Sequence, residues 1–437
     1  MIEKAGRTKP LFYYGWVVVV VGLVTLGVAF GVWYSFSVFF LAIVKEFGWS
    51  RAAASSIYSI FIISQALTGL LAGLLQDRFG PRIVIPVGCL IVATALALTS
   101  RAQDLSHFYL AYGLLAGAGV SLLGFSSHAA FIPKWFERKR GLAIGIAMSG
   151  IGFGMLILIP SMEKAITRYG WRNAYLILAA LALFLVTPIN LLLSRRSPEA
   201  MNLRPDGDTE GTENRPKASM VMKIVDPVWA GKDWTIAMAA RTRRFWFLMI
   251  AFFFQSFTYQ ATLLHAVSAM VDGGLSRETA AYYFGILGIA GATGKISLGY
   301  LSDLFGREKI NTLGVTLAAS GIFCLLWIST FQGPAALLFA VVFGLGYGAA
   351  APLLPSVSAD IFLGKSFGLV FAMICIGGGA GGSIGSFVTG WLRDLSGTYT
   401  APFILFFFCL FLSDLFIWLA GPRKVRRMIR RPVSSDQ

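Results

Sequence analysis

GLLQDRFGPR (Gly73–Arg82) and GYLSDLFGRE (Gly299–Glu308) are two copies of one short element, set half a chain apart. Both read G-x-x-x-D-x-F-G, with an arginine one or two residues further on. Each closes one apolar run and opens another. The aspartate can cap a helix or pair with arginine, and the glycines permit close helix approach and a tight turn. Asp77, Arg78 and Arg82 in the first copy, and Asp303 and Arg307 in the second, are therefore expected to form a structural or gating element at a helix end. A doubled element predicts two like halves related by an axis along the membrane normal, with a central cavity between them.

Outward from the two copies the chain divides into apolar runs. A bilayer-spanning helix needs ~20 such residues. Twelve runs qualify, at about 14–44, 50–76, 83–101, 106–132, 140–166 and 171–194, then 245–270, 277–302, 309–330, 333–360, 366–393 and 399–422. The polar stretch between the two groups of six contains PEAMNLRPDGDTEGTENRPKAS and reads as a linker, with a short interfacial helix near residues 225–230. The expected fold is all-α: twelve transmembrane helices as two pseudo-symmetric six-helix bundles, 1–194 and 245–437, joined by a cytoplasmic linker 195–244, with a basic cytoplasmic tail.

Composition agrees. Of 437 residues, 56% are hydrophobic and only 13% charged, and the mean hydropathy is +0.71. A soluble enzyme of this length cannot hide that much apolar surface, and disordered chains are polar. The runs are near-continuous and do not alternate, which argues against a β-barrel. The net charge of +16 does not indicate a nucleic-acid partner, because most of the 37 lysines and arginines lie in short gaps between spans. Placing the N-terminus inside puts most of them on one side together with both termini, so both termini are expected in the cytoplasm of an (inner) membrane protein. The start, MIEKAGRTKP, is basic, but the apolar run after it is too long for a signal peptide. Cys89, Cys324, Cys375 and Cys409 sit singly inside spans and suggest neither disulfides nor zinc, and no cofactor is implied.

With these features the chain resembles the major facilitator superfamily over nearly its whole length. Tyr14-Gly15-Trp16 opens span one. Trp135-Phe136-Glu137-Arg138-Lys139-Arg140-Gly141-Leu142-Ala143 leads into the glycine-rich span five. Phe47-Gly48-Trp49-Ser50-Arg51, Pro198-Glu199 and Leu203-Arg204-Pro205 complete the pattern. Together they are similar to the monocarboxylate transporters and their bacterial relatives, including the oxalate:formate antiporters. The resemblance implies secondary transport of a small organic anion, and a cation in this part of span eight. It also marks departures. Gly291 stands where an aspartate usually precedes that cation, Tyr34 stands near the place of a span-one lysine, and Ile374 where the oxalate carriers have a second cation.

Charges within a span cost roughly 2.5–3.5 kcal/mol each on insertion scales, so each invites a functional reading. Lys295 lies in span eight, eight residues or roughly 12 Å before Asp303. It can be the counter-charge for a substrate carboxylate, or a lysine that snorkels. One cation suits one carboxylate, which makes a monoanion a better substrate than oxalate. Asp414, in span twelve, can carry a proton, pair with Lys295, or be satisfied locally. Gln255, Tyr259, Thr262 and His265 share one face of span seven, and His265 can donate to a carboxylate, carry a proton or simply hold structure. His128, Tyr34, Trp33 and Tyr347 are further cavity candidates, and His107 falls in a loop. Pro352 and Pro355 are expected to break span ten.

The reading is an alternating-access carrier of a monocarboxylate-type anion, by proton symport or anion exchange. The substrate residues are Lys295, His265, Tyr347, Tyr34, Tyr259 and His128. Two alternatives keep the same fold: an exporter of lipophilic compounds or drugs, which would tolerate loss of Lys295, and a non-transporting sensor. No nucleophile–base pair or metal-ligand set points to an enzyme.

Overall fold

The computed structural model describes residues 13–136, 140–201, 203–207, 220–364 and 366–430. Glu137, Arg138 and Lys139 of the span-five signature and Lys4, Arg7, Lys9 and Lys365 of the charge pattern lie outside them. The helices are α1 Gly15–Phe47, α2 Arg51–Phe79, α3 Pro81–Thr99, α4 Leu105–Leu123, α5 (140–169) and α6 (171–193). The second six are α7 Arg243–Asp272, α8 Arg277–Phe305, α9 Arg307–Leu326, α10 Ile328–Phe362, α11 Phe367–Ser396 and α12 Thr400–Ala420. Among the described residues eleven apolar stretches are long enough to cross a membrane; the longest holds both α5 and α6, which Gly170 separates with φ 79 and ψ 157.

Helix ends follow local chemistry. Ser50, Thr242 and Ser276 accept hydrogen bonds from backbone N–H groups three residues on, at the starts of α2, α7 and α8. Asp104 does the same before α4, where the Ser106 hydroxyl and the His107 N–H hold its carboxyl below the ordinary value. His107 also meets Asp104 at 3.1 Å, both side chains being exposed. The two copies of the repeated element end alike. Gly80 (φ 76) turns α2 into α3, and Gly306 (φ 100) turns α8 into α9, a conformation only glycine adopts without strain.

Two observations depart from expectation, and one expected element is found in place. α10 runs on through Pro352 and Pro355; its non-helical residue is Gln332, near the start. Neighbouring helices and local adjustment let a membrane helix carry proline. The short helix near residues 225–230 is Pro227–Ala230, and it packs beneath α10, with Trp229 Nε1 donating to the Ile361 carbonyl at 2.9 Å. Finally, the chain is not purely helical. Strand β1, Met220–Ile224, pairs antiparallel with β2, Arg426–Arg430. Arg426, almost fully buried, donates to the carbonyls of Asp360 (3.1 Å) and Ala230 (2.9 Å). The end of the linker is thereby tied to the tail and to α10.

Packing is set by glycine. α5 lies against α1, with Gly150 and Gly154 facing the Leu23 and Gly27 carbonyls. α11 lies against α7 in the equivalent way, with Gly377, Gly381 and Gly385 facing the carbonyls of Met249, Phe253 and Phe257. The first six helices meet the last six along α5–α8, α2–α11 and α1–α7. At the α5–α8 crossing a Cβ on Gly152 would stand 2.5 Å from the Gly288 carbonyl oxygen. With lipid tails as apolar as the side chains, such close contact is what draws helices together. Gly381→Leu is expected to cost about 1–3 kcal/mol by overpacking, read as a lowered Tm of the detergent-purified protein. Gly368→Ala, with open space around it, should leave Tm unchanged.

Candidate functional site

Lys295 lines a cavity of about 710 Å³ walled by α5, α8 and α10. Gly291 and Gly294, on either side of the turn that ends at Lys295, let the α8 backbone lie against α10 near Gly348 and Leu345. Among the described residues Lys295 makes no hydrogen bond and no ion pair. Its three N–H donors are therefore uncommitted. The cavity extends to Asp303 and Arg307, at the end of the molecule that carries the repeated element.

An aromatic cluster stands beside it. A Cβ on Gly291 would lie 3.6 Å from the Tyr347 ring. The hydroxyls of Tyr347 (α10) and Tyr34 (α1) share a hydrogen bond of 2.8 Å. Tyr259 of α7 sets its ring edge-on to Tyr347, centroids 5.5 Å apart. Trp33 stacks on Tyr34 and donates from Nε1 to the Tyr58 hydroxyl at 2.7 Å. Tyr58 donates in turn to Gln260 Oε1 at 3.2 Å. Trp33 and Gln260 line a second cavity, of about 610 Å³, between α2, α7 and α11. Of the predicted residues, Lys295, Tyr347, Tyr34 and Tyr259 therefore fall in one neighbourhood.

His265 does not join them. It sits at the far end, opposite the repeated elements. Its Nε2 lies 3.2 Å from Ser55 Oγ and 3.1 Å from the Ser386 carbonyl, and its Nδ1 lies 3.1 Å from the Tyr399 hydroxyl. Around it the first six helices are joined to the last six by charge. Arg51 of α2 pairs with Asp272 of α7 at 2.9 Å and donates to the Tyr399 hydroxyl at 2.6 Å. Arg393 of α11 pairs with the same Asp272 at 2.9 Å. The Asp394 carboxylate accepts the N–H groups of Arg51 and Ala52, at 3.0 and 2.8 Å, and so caps α2 from the other set. The far end is closed. At the repeated-element end the ion pairs among the described residues stay within one set: Asp77–Lys134 (3.4 Å) in the first, Asp303–Arg307 (2.6 Å), Arg307–Asp360 (3.5 Å) and Glu308–Arg423 (3.8 Å) in the second.

The remaining candidates are placed elsewhere. His128 is buried against α1, where a Cβ on Gly22 would meet its ring, and its Nδ1 is 3.0 Å from the Gly124 carbonyl. Asp414 does not reach Lys295; it accepts from Asn311 Nδ2 (2.8 Å) and Thr312 Oγ1 (2.8 Å) across the α9–α12 contact. Arg78 lies over Phe79, and Arg82 donates to the Leu191 carbonyl at 2.9 Å. Glu308 occupies the second-copy position equivalent to Arg82, so the two copies are not symmetric in charge. The contact made by Arg51, Asp272, Arg393 and Asp394 escaped the sequence reading because each lies near the end of a helix, where charge is unremarkable. The signal was there as opposite charges at the same level of α2, α7 and α11.

A model of the Major Facilitator Superfamily matches residues 21–382. Monocarboxylate transporter 13 of Bos taurus is 30% identical over 397 residues, covering 90% of this chain and 86% of that protein. Monocarboxylate transporter 12 of Xenopus laevis is 26% identical over 442 residues, covering 98% and 92%. Among solved structures, a bacterial homolog of the human lysosomal transporter Spinster, inward-facing and unoccupied, superposes with a TM-score of 0.70 at 16% identity, covering 96% of this chain and 98% of that one. A D-xylose-proton symporter gives 0.65 at 19%, covering 93% and 97%.

Asp272 joins both arginines of the far-end contact, so Asp272→Asn is expected to loosen it. Spin labels at Arg101 and Leu395, both exposed at that end, should show the open fraction raised about fivefold, the change worth about 1 kcal/mol for a partly buried pair. An unchanged distance distribution would remove the contact from the gate.

Proposed function

Because the chain belongs to the major facilitator superfamily, and is a transporter of that fold, we propose that its cargo is a small organic anion of the monocarboxylate type. One observation carries this: Lys295 lines the cavity with no partner of its own among the described residues. A cation so placed is costly when the cavity closes and water leaves, and one carboxylate removes that cost. Tyr347, Tyr34 and Tyr259 supply an apolar body with polar tips beside it, suited to a short organic chain. Lysine is a point charge with rotating donors and cannot hold a carboxylate by a planar fork. It selects charge more than shape.

The two bundles, 1–194 and 245–437, rock about the α5–α8 and α2–α11 contacts, with 195–244 as the connection between them. The repeated-element end faces the cytoplasm, as do both termini. Asp77, Arg78, Arg82, Asp303 and Arg307 brace that end, and His265 serves in the outer closure. With Lys295 neutralised by the anion, the loaded carrier is the form that reorients. Return requires either a second anion, which is exchange, or loss of one proton, which makes the net process proton symport.

The test is uptake of labelled lactate, pyruvate, acetate and formate into proteoliposomes, with and without a proton gradient and with and without internal anion. Flux on the gradient alone identifies symport; flux only against preloaded anion identifies exchange. Lys295→Ala should abolish substrate binding, and Lys295→Arg should retain part of it. Equal binding by wild type and Lys295→Ala would overturn the proposal in favour of a carrier of lipophilic compounds.

A further inference from the structure

Glu163, in α5, is fully buried, and neither of its carboxyl oxygens has a hydrogen-bond partner. It is alone in this among the acidic side chains of the described residues. Its place is in the contact between the two bundles. α5 and α8 run antiparallel, and Gly285 of α8 faces Leu156 of α5, where a Cβ would lie 3.0 Å from the Leu156 Cα. Two turns on from Leu156, Glu163 comes level with the first turn of α8.

The charged groups that act on it there are Arg277 and Glu278, of opposite sign. Arg277 stops short of an ion pair, and makes none with any acid among the described residues. On α5 itself Lys164 and Arg168 are exposed. At the outer ends of α1 and α6, Glu46 and Arg172 are engaged with each other, and Trp171 also donates to Glu46. Among the described residues, therefore, none hydrogen-bonds or ion-pairs with a carboxylate at position 163 in this arrangement: Arg277 favours its charge only from a distance, and Glu278 opposes it. A buried carboxylate without donor or counter-ion is expensive, whereas the neutral acid loses only hydrogen bonds.

We propose that Glu163 is a proton-binding site of the outer closure: bringing α5 against α8 takes one proton from the outer solution onto its carboxyl, and parting them returns it. In the open arrangement water reaches the carboxylate and stabilises its charge. The proton is bound in one arrangement and free in the other, so outer pH biases the equilibrium between them. Acid favours the closed outer face. This rests on the alternating-access reading above but not on the identity of the anion.

The test follows the outer opening of the full-length protein in lipid nanodiscs, without substrate, from pH 5 to pH 9. Spin labels at Arg101 and Leu395, introduced as an unnatural amino acid so that the native cysteines remain, report the separation. In wild type the ratio of open to closed should rise with pH, by up to about tenfold per unit for a single proton. Glu163→Gln should stay closed across the range and lose the response. Arg277→Gln should keep the response and move it to higher pH, which covers the case of a poorly folding Glu163 variant. A full pH response in Glu163→Gln, an unmoved curve in Arg277→Gln, or two populated separations insensitive to pH in wild type would each overturn the assignment. A single separation at every pH in all variants, with Asp272→Asn included, would overturn alternating access itself.

Discussion

Charge in a low-dielectric layer has to be matched, and the division between matched and unmatched charge organises this protein. Asp272 is shared by two arginines, Arg307 by two aspartates, and Asp414 is satisfied by an asparagine and a threonine. Against that background two groups stand out. Among the described residues Lys295 has no partner at a cavity wall, and Glu163 has none in a closed contact. The first lacks what a ligand brings. The second lacks what water or a proton brings. Buried polar groups left unsatisfied in a native fold call for a functional explanation, and here the two lie on opposite sides of the α5–α8 crossing.

That crossing works because backbone meets backbone. Side chains between two helices interdigitate and resist sliding. Where Gly152 meets Gly288, the side chains of Met155 and Ala292 pack beside the two backbones. The same economy seats α1 on α5 and α7 on α11. Within each set of six the seams are long and bind one helix firmly to its neighbour. Between the sets, α5 meets α8 and α2 meets α11 through glycine at the closest points, with tyrosines and polar groups completing the contact.

Most of the fold was legible in the sequence, because lipid imposes a length and a polarity on every span. The twelve runs, the break before Trp171 and the turns at Gly80 and Gly306 all follow from residues that have few alternatives. The neighbourhood of Lys295 was legible in part, for the same reason: a lone cation in an apolar run has few uses. Height along the bundle was not. The stripe from Gln255 to His265 shows which residues share a face of α7 but not that its last member meets Ser55 and Tyr399 at the far end. Asp414 and His128 were ambiguous because a one-dimensional reading cannot show Asn311, Thr312 or Gly124 supplying their partners. The pairing of linker with tail was invisible altogether, since β1 and β2 are short and separated by all of the last six helices.

The cap on α2 has a consequence of its own. A helix start leaves several N–H groups without a partner inside the helix. Ser50 meets that of Ala53 locally, while among the described residues those of Arg51 and Ala52 are met by Asp394, from the opposite set of helices. The first turn of α2 is thus complete only while its neighbour is in place. Parting of the two bundles at that end, as the proposed transport cycle requires, would take the acceptor from the turn and let it fray toward water. The secondary structure of one body would then report the position of the other, and the order of a single helical turn would be a local readout of that proposed motion.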